Sequence, residues 1–595
     1  MIRTRHPLMA ALVCVTLTTA GLVASAAPVA SAAKPVKAAP QNTLGVSVVR
    51  FDKATSRADM YAAVAAAGGE VLTDLSKTSR LAVRSDSATF LTRLKGNSRV
   101  AAVWTDRMIR IRLTDAGGAT GSNTPALGRP GASALFDPWH DATGPFLNEN
   151  APGVWQWDDD ANGARGARVA GASGAGIKVA VLDTGVQGSH KELLPNYDNQ
   201  NSTNTIPCNL LTRQFGPLGQ KDCSSEDTEG HGTWVASRIA GALNGFASNG
   251  VAPKVTISGY KVLSTTLGGG LTSWIVDGMI RACNAGADLI NMSLGGYDAP
   301  GVDDEDYMMW VDATNYCRAK GTAIIASAGN EHVRINRVNT MVGGVPMQGV
   351  GQVANTDEGI ITIIPGDTVA NNDLRGLLET PAGVPGVIMV SATNNANGSP
   401  SSPAVLAHLN SKPVEGATDQ LAYYSNYGGR IDIAAPGGAR KMGIPRYDVG
   451  NEDVLYGGWG ELGALTGNGE ICQDPSLAST LTFSCFKVTG SAFGWLQGTS
   501  MSAPNATGVA ALTLGQHPSL GPDALLSRLK ATARTNMANG TGPNDPTDHG
   551  PSATAGPCTS GYCHLDYYTP GDAANPITFA DAYGAGMVNA QAAAG

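Results

Sequence analysis

Three short strings, far apart in the chain, carry residues that can do chemistry together. They are Val-Ala-Val-Leu-Asp-Thr-Gly-Val ending at Val186, Gly-His-Gly-Thr from Gly230 to Thr233, and Gly-Thr-Ser-Met-Ser-Ala-Pro from Gly498 to Pro504. They deliver Asp183, His231 and Ser500, in that order. A serine hydroxyl is a poor nucleophile near neutral pH unless a base takes its proton. That base works best when a carboxylate fixes its tautomer and stabilises its charged form. Alone, Asp-Thr-Gly is more often a strand-end turn, and Gly-His-Gly or Gly-Thr-Ser an ordinary loop. Together and in this order they fit acyl transfer, with Ser500 as nucleophile, His231 as base and Asp183 orienting it.

The surrounding patterns supply elements to hold these residues. Ile177 to Leu182 reads as a buried strand, Thr233 to Leu243 as a helix, and Leu271 to Ala282 repeats at helical spacing. Asp288 to Met292 is a strand, Glu305 to Arg318 a helix, Ala323 to Ser327 a strand, and an apolar helix runs from Ser500 toward Leu514. Such alternation predicts an α/β fold, a doubly wound, mostly parallel sheet with helices on both faces. Function then collects at the carboxyl ends of strands, where Asp183, Ser293 and Asn330 fall. A smaller unit precedes it. Val46–Phe51, Arg57–Ala67, two strands within Val71–Arg84, Ser87–Lys95 and a last strand Val100–Ile111 give the order β-α-β-β-α-β of a ferredoxin-like module. Residues 34–42 read as a linker, and the Gly/Pro/Ser/Thr-rich stretch 117–144 as a boundary.

Charge divides unevenly over the 595 residues. The first 113 hold 16 Lys+Arg against 6 Asp+Glu, the rest 25 against 43. An acidic body argues against nucleic acid as a partner, and a basic leader ahead of it invites attraction between the two. Arg3 and Arg5 followed by apolar Ala10–Ala24, with Ala24-Ser25-Ala26 and Ala30-Ser31-Ala32 as cleavage candidates, read as an export signal over 1–33. The apolar run is too short for a membrane span, so the expectation is a secreted protein without an anchor. Eight cysteines remain after Cys14, and an even count in an exported chain favours disulfides. Sequence neighbours suggest Cys208–Cys223, Cys283–Cys317, Cys472–Cys485 and Cys558–Cys563, although connectivity is not fixed by sequence.

At these residues the chain resembles the subtilisin-like serine protease family. The likeness covers roughly 150–595 and includes the three strings, Asn291-Met-Ser-Leu-Gly-Gly296, Ala326-Ser-Ala-Gly-Asn330 and Tyr583-Gly-Ala-Gly-Met-Val-Asn589. It implies a catalytic domain over 151–595, an inhibitory, chaperone-like propeptide over 34–115, and a linker and maturation region over 116–150. It implies that Asn330 is the side-chain donor of the oxyanion hole. It implies that Gly268, Gly269 and Gly270 pair with substrate backbone, and that Ser293, Leu294 and Gly295 form one wall of the pocket for the residue before the scissile bond. Matching Thr380-Pro-Ala-Gly-Val-Pro-Gly-Val-Ile388 to the family puts Glu379 near the pocket floor and Glu331 at its rim. Two carboxylates there would favour Lys or Arg.

The chain departs from the pattern at Asn505, where the family usually has His. Altered packing is expected there rather than lost activity. Insertions 331–379 and 438–495 fall beside the cleft by analogy. His190 is read as a packing residue, not a base. The chemistry needs no cofactor. Structural calcium, suggested by the family and by Asp158-Asp-Asp160, is left open at no nameable site, and Asp303-Asp-Glu-Asp306 reads better as a helix start. The implied partners are protein or peptide substrates and the chain's own propeptide, on a monomer without membrane or nucleic acid. Alternatives are a narrow processing protease, or a catalytically silent subtilisin fold used for binding.

Overall fold

Alternation along single strands decides which face each residue serves. The computed structural model describes residues 44–110, 157–361, 372–393, 421–422, 424–438, 461–467, 485–535 and 577–595. In chain order the leader unit holds β1 (Ser47–Phe51), α1 (Arg57–Ala67), β2 (Glu70–Leu75), β3 (Arg80–Arg84), α2 (Phe90–Lys95), β4 (Val100–Thr105) and β5 (Met108–Arg110). The first four strands form an antiparallel sheet in the order β2-β3-β1-β4, as the β-α-β-β-α-β pattern requires. In β1, Val49 and Phe51 pack on Met60 and Val64 of α1, with Phe90 and Leu94 of α2. Val48, facing the other way, joins the core of the following domain.

After the leader unit the described chain resumes with α3 (Trp157–Ala161) and α4 (Ala164–Val169). Then come β6 (Lys178–Asp183), β7 (Thr203–Asn204), α5 (Cys208–Phe215), α6 (His231–Ala240), β8 (Thr256–Lys261), β9 (Gly269–Leu271), α7 (Thr272–Asn284) and β10 (Leu289–Met292). β11 (Gly296–Asp298), α8 (Asp304–Arg318) and β12 (Ala323–Ser327) follow, then the hairpin β13 (Ile335–Val342) and β14 (Val345–Val353). A small ladder pairs β15 (Ile360–Ile361) with β16 (Asn372–Asp373), ahead of β17 (Leu378–Thr380), β18 (Val387–Thr393) and β19 (Ile433–Pro436). β20 (Glu461–Leu465), β21 (Cys485–Val488) and β22 (Ser491–Leu496) make a separate antiparallel sheet. α9 (Thr499–Gln516), α10 (Pro522–Thr532), α11 (Phe579–Tyr583) and α12 (Ala590–Ala594) close the chain.

Seven parallel strands in the order β19-β18-β12-β10-β6-β8-β7 form the central sheet. β6 shows how it is filled. Val179 and Val181 pack with Trp234 of α6, Val509 of α9 and Leu525 of α10. Ala180 and Leu182 pack with Trp274 of α7 and Trp310 of α8. Both faces are thus covered, which accounts for strands that are apolar throughout. α9 is buried all round from Thr499 to Leu514, the mark of a helix threaded through a core.

The single strand expected over Val100–Ile111 is two. β4 stays in the leader's sheet, and β5 leaves it to pair antiparallel with β9, Ile109 opposite Gly270. The break falls at Asp106 and Arg107, which the adjoining domain engages. Asp106 Oδ1 accepts Ser273 N–H at 3.2 Å and Arg107 O accepts Thr272 N–H at 2.9 Å. The leader thereby supplies acceptors that the first turn of α7 lacks. The helix expected from Ser87 starts at Phe90.

The uneven charge is visible at this junction. Arg50 grips Glu305 through two bonds of 2.7 and 2.9 Å, Arg80 pairs with Asp312 at 2.6 Å, and Arg107 pairs with Asp298 at 3.0 Å and with Asp303. Disulfides link Cys208 to Cys223 and Cys283 to Cys317. Cys472, Cys558 and Cys563, and so both remaining expected pairs, the signal segment and the 116–150 linker lie outside the described residues. No helix among the described residues is long and apolar enough to cross a membrane.

Candidate active site

Asp183 ends β6 at the carboxyl edge of the sheet, and His231 opens α6 beside it. Both are fully buried, and Asp183 Oδ1 lies 2.7 Å from His231 Nδ1. Gly232 is required here, because a Cβ would stand 2.1 Å from Gly185 O. Burial disfavours the imidazolium, but Asp183 outweighs it, aided by Glu229 and Asp227, and raises the His231 pKa to about 9. The Glu229 carboxylate accepts His231 N–H at 2.6 Å, and burial pushes it up to about 7.

Ser500 is the second residue of α9 and is 6 % exposed. Its hydroxyl donates to Ser293 O at 3.4 Å, while His231 Nε2 has no hydrogen-bond partner among the described residues. Serine–histidine bonds in substrate-free sites are often long and tighten when substrate arrives. Pro504 lies inside the same helix and has no N–H to give Ser500 O one turn back. Ser293 Oγ fills that place at 2.8 Å.

Asn330 follows β12. Its Oδ1 accepts both the N–H and the hydroxyl of Thr499, at 2.9 and 2.8 Å. This fixes the amide with its nitrogen end turned away from Thr499. Ser293, Leu294, Gly295, Asn330 and Ser500 line a cleft that Glu331 and Glu379 also enter. These seven residues, singled out in the sequence, lie together in that cleft.

The two glutamates differ in how they are held. Glu331 Oε2 accepts Tyr297 OH at 2.7 Å, Asn330 N–H at 2.9 Å and Asn426 Nδ2 at 3.2 Å. It is committed to the wall. Glu379, opposite Tyr297 in the β11–β17 ladder, is 2 % exposed and accepts Gly383 N–H through Oε2. Burial raises its pKa well above the usual carboxylate range.

Gly269 and Gly270 lie on β9, with Gly268 just before it, and β5 of the leader occupies its edge. Gly270 admits no side chain, since a Cβ would stand 2.1 Å from Val262 O. Ile109 is buried against Gly296, where an added Cβ would come within 3.0 Å of its Cδ1. The leader strand therefore lies between β9 and the wall that starts at Ser293.

His190 packs as expected. Its Nε2 is 3.1 Å from Ala492 O, its ring stands edge-on to Phe493, and burial lowers its pKa to about 4. Asp158 and Asp159 pair with Arg238, and Asp159 also with Arg168. Among the described residues no group of three or more His, Cys, Asp or Glu is arranged to hold a metal ion. Asn505 bridges Asn162 and Glu461, a polar contact where the family's His is replaced. Thr499, Tyr297 and Asn426 went unmarked in the sequence, and only the Thr in Gly-Thr-Ser lies within a recognisable string.

A profile described as the subtilase family matches residues 174–562. Subtilisin NAT of Bacillus subtilis subsp. natto is 26% identical over 363 residues, 61% of this chain and 62% of its own length. The nisin leader peptide-processing serine protease NisP of Lactococcus lactis subsp. lactis is 29% identical over 28% of this chain and 24% of its own. Among solved structures, the epidermin leader peptide processing serine protease EpiP of Staphylococcus aureus superposes with a TM-score of 0.56 at 18% identity, covering 92% of this chain and 97% of that one. Fervidolysin of Fervidobacterium pennivorans, a keratinolytic enzyme related to subtilisin, gives 0.52 at 20% identity over 92% of this chain and 60% of that one.

Proposed function

The chain belongs to the subtilase family, and from that premise we propose that it is a secreted serine endopeptidase made as a precursor, its 44–110 unit acting as an intramolecular inhibitor. The observation that carries the reading is the placing of Ser500 and Asn330 in one cleft, with an Asp183–His231 pair of 2.7 Å at the neighbouring strand end. Ser500 Oγ attacks the peptide carbonyl as its proton passes to His231 Nε2. The oxyanion gathers negative charge between the Asn330 amide and the N-terminus of α9. His231 then gives the proton to the leaving amine, and water hydrolyses the acyl-enzyme by the same route. Asp183 keeps the imidazole oriented and stabilises its charged form.

The inhibitor role is supported by β5, which takes the edge an extended substrate would use, in the manner of an added strand. Secretion is supported by the basic-apolar start and by two disulfides. A preference for Lys or Arg before the scissile bond is supported by Glu379 in the cleft. Glu331, tied to the wall, gives it less support than its position at the rim suggests. A narrower reading, a processing protease with one partner, is favoured by the β13–β14 hairpin. It extends the wall sheet through β17, where Gln352 pairs with Leu378 beside Glu379.

Expression of the precursor beside its Ser500→Ala form tests the reading. Shortening in the wild type alone, with organophosphate labelling of Ser500, is expected. Equal full length in both, with no labelling, would leave a silent fold. Cleavage of many denatured proteins against cleavage of one would separate the broad enzyme from the processing enzyme.

A further inference from the structure

Between β6 and α6 the chain makes an excursion closed by Cys208–Cys223 and filled by α5 and the 3-10 segment Gly216–Asp222. Its last residue before the second cysteine, Asp222, is fully buried. The Asp222 carboxylate accepts Ser264 Oγ at 2.7 Å, Thr265 N–H at 2.9 Å and Thr266 N–H at 3.2 Å, and stands 3.4 Å from Lys261 Nζ. Ser264, Thr265 and Thr266 are the turn that leads from β8 to β9. Ser264 in turn exchanges two backbone bonds with Gly269, at 2.8 and 3.2 Å. Gly269 begins the edge on which the leader strand lies. Lys261, also fully buried, donates to Thr184 O at 2.7 Å, next to Asp183.

One carboxylate therefore joins a covalently closed loop, the turn before the substrate edge, and the residue after the triad acid. Its burial makes the arrangement stiff. Taking it away removes the acceptor of two N–H groups and a hydroxyl, and leaves the buried Lys261 ammonium with Thr184 O but without its counter-charge. We propose that Asp222, held by the Cys208–Cys223 bridge, is a positioning residue for peptide substrates, setting through the 264–266 turn where the Gly268–Leu271 edge meets an extended chain. The proposal rests on the endopeptidase reading above. Because an added strand is held by its backbone bonds, the effect falls on long substrates and spares short ones.

The test uses matured wild-type enzyme, Asp222→Ala, and Cys208→Ser/Cys223→Ser, each normalised to organophosphate-titrated sites. A tetrapeptide amide long enough to lie on the edge is compared with a single-residue ester that is not. Both variants are expected to raise KM for the tetrapeptide about tenfold with kcat within about twofold, and to leave the ester unchanged. Amide hydrogen exchange over 264–271 should quicken in both, with that of α9 unchanged. Equal losses on both substrates, or no change on either, would overturn the proposal. Asp222→Asn, which keeps the volume, carries the same comparison if the alanine form does not fold. A wild type that turns over neither substrate and takes no label would instead defeat the endopeptidase reading.

Discussion

Ser293 donates its hydroxyl to the carbonyl oxygen of Ser500 at 2.8 Å, and Ser500 returns its own hydroxyl to Ser293 O at 3.4 Å. The first bond serves an acceptor that Pro504 leaves without its helical donor. Ser293→Ala should strand that buried carbonyl, at a cost of about 1–3 kcal/mol. Lowered Tm by calorimetry is expected, together with a loss in kcat, because the stranded carbonyl belongs to the proposed nucleophile. An unchanged Tm would mean that the proline alone shapes the turn.

Glu379 and Glu331 enter the same cleft, but Glu331 is tied to the wall by Tyr297, Asn330 and Asn426, whereas Glu379 accepts from the Gly383 backbone. Burial favours the protonated form of Glu379, and a Lys or Arg side chain entering beside it favours the ionised form, so Glu379→Gln should cut the ratio of kcat/KM for Arg over Phe substrates by about tenfold. Glu331→Gln should change that ratio little and instead lower kcat for both, since it braces the Asn330 backbone. A panel of peptide substrates differing at the residue before the cut decides between them.

How much of this was legible depended on whether a residue's duty is local. Gly232 and Gly270 sit in readable strings because the backbone around them leaves no room for a side chain. The parallel sheet was legible because strands covered on both faces are apolar throughout. Asp222 was not, since its partners at 264–266 lie about forty residues on and nothing in its own neighbourhood marks them. The break between β4 and β5 was hidden for the same reason. Val100–Ile111 has the composition of one strand, and only docking on α7 divides it. Glu331 and Glu379 looked alike in sequence and were separated only by Tyr297 and Asn426, from distant segments.

Glu229 sits against His231 N–H and titrates at about 7, and both Glu229 and Asp183 hold the His231 pKa up, at about 9. The base must be neutral to act, so kcat/KM should rise with pH through an alkaline limb. Glu229→Gln removes a negative neighbour, which lowers the imidazole pKa. The limb should move to lower pH in a pH–rate profile on matured enzyme. A shift the other way, or none, would mean that Glu229 does not hold the imidazole pKa up.

Asp106 is buried where the leader meets α7, and burial, reinforced by Asp306, raises its pKa to about 8. Asp306 itself is raised to about 6 by burial, and Asp298 rises for the same reason, against the pull of Arg107. Once the leader leaves, Asp106 returns to water and to an ordinary pKa of about 3.9. The docked state thus binds more protons than the free one. A raised carboxylate stabilises docking fully below about pH 4, and that contribution disappears as pH rises through about 8. Shedding of the leader from processed precursor should accelerate between those limits, followed by the gain of activity after a pH jump. Asp106→Asn, which cannot ionise, should flatten the dependence and slow shedding at pH 8. A wild-type rate that is flat with pH, or falls as it rises, would show that the arginine pairs with Glu305 and Asp312 govern release, and those respond to salt rather than to protons.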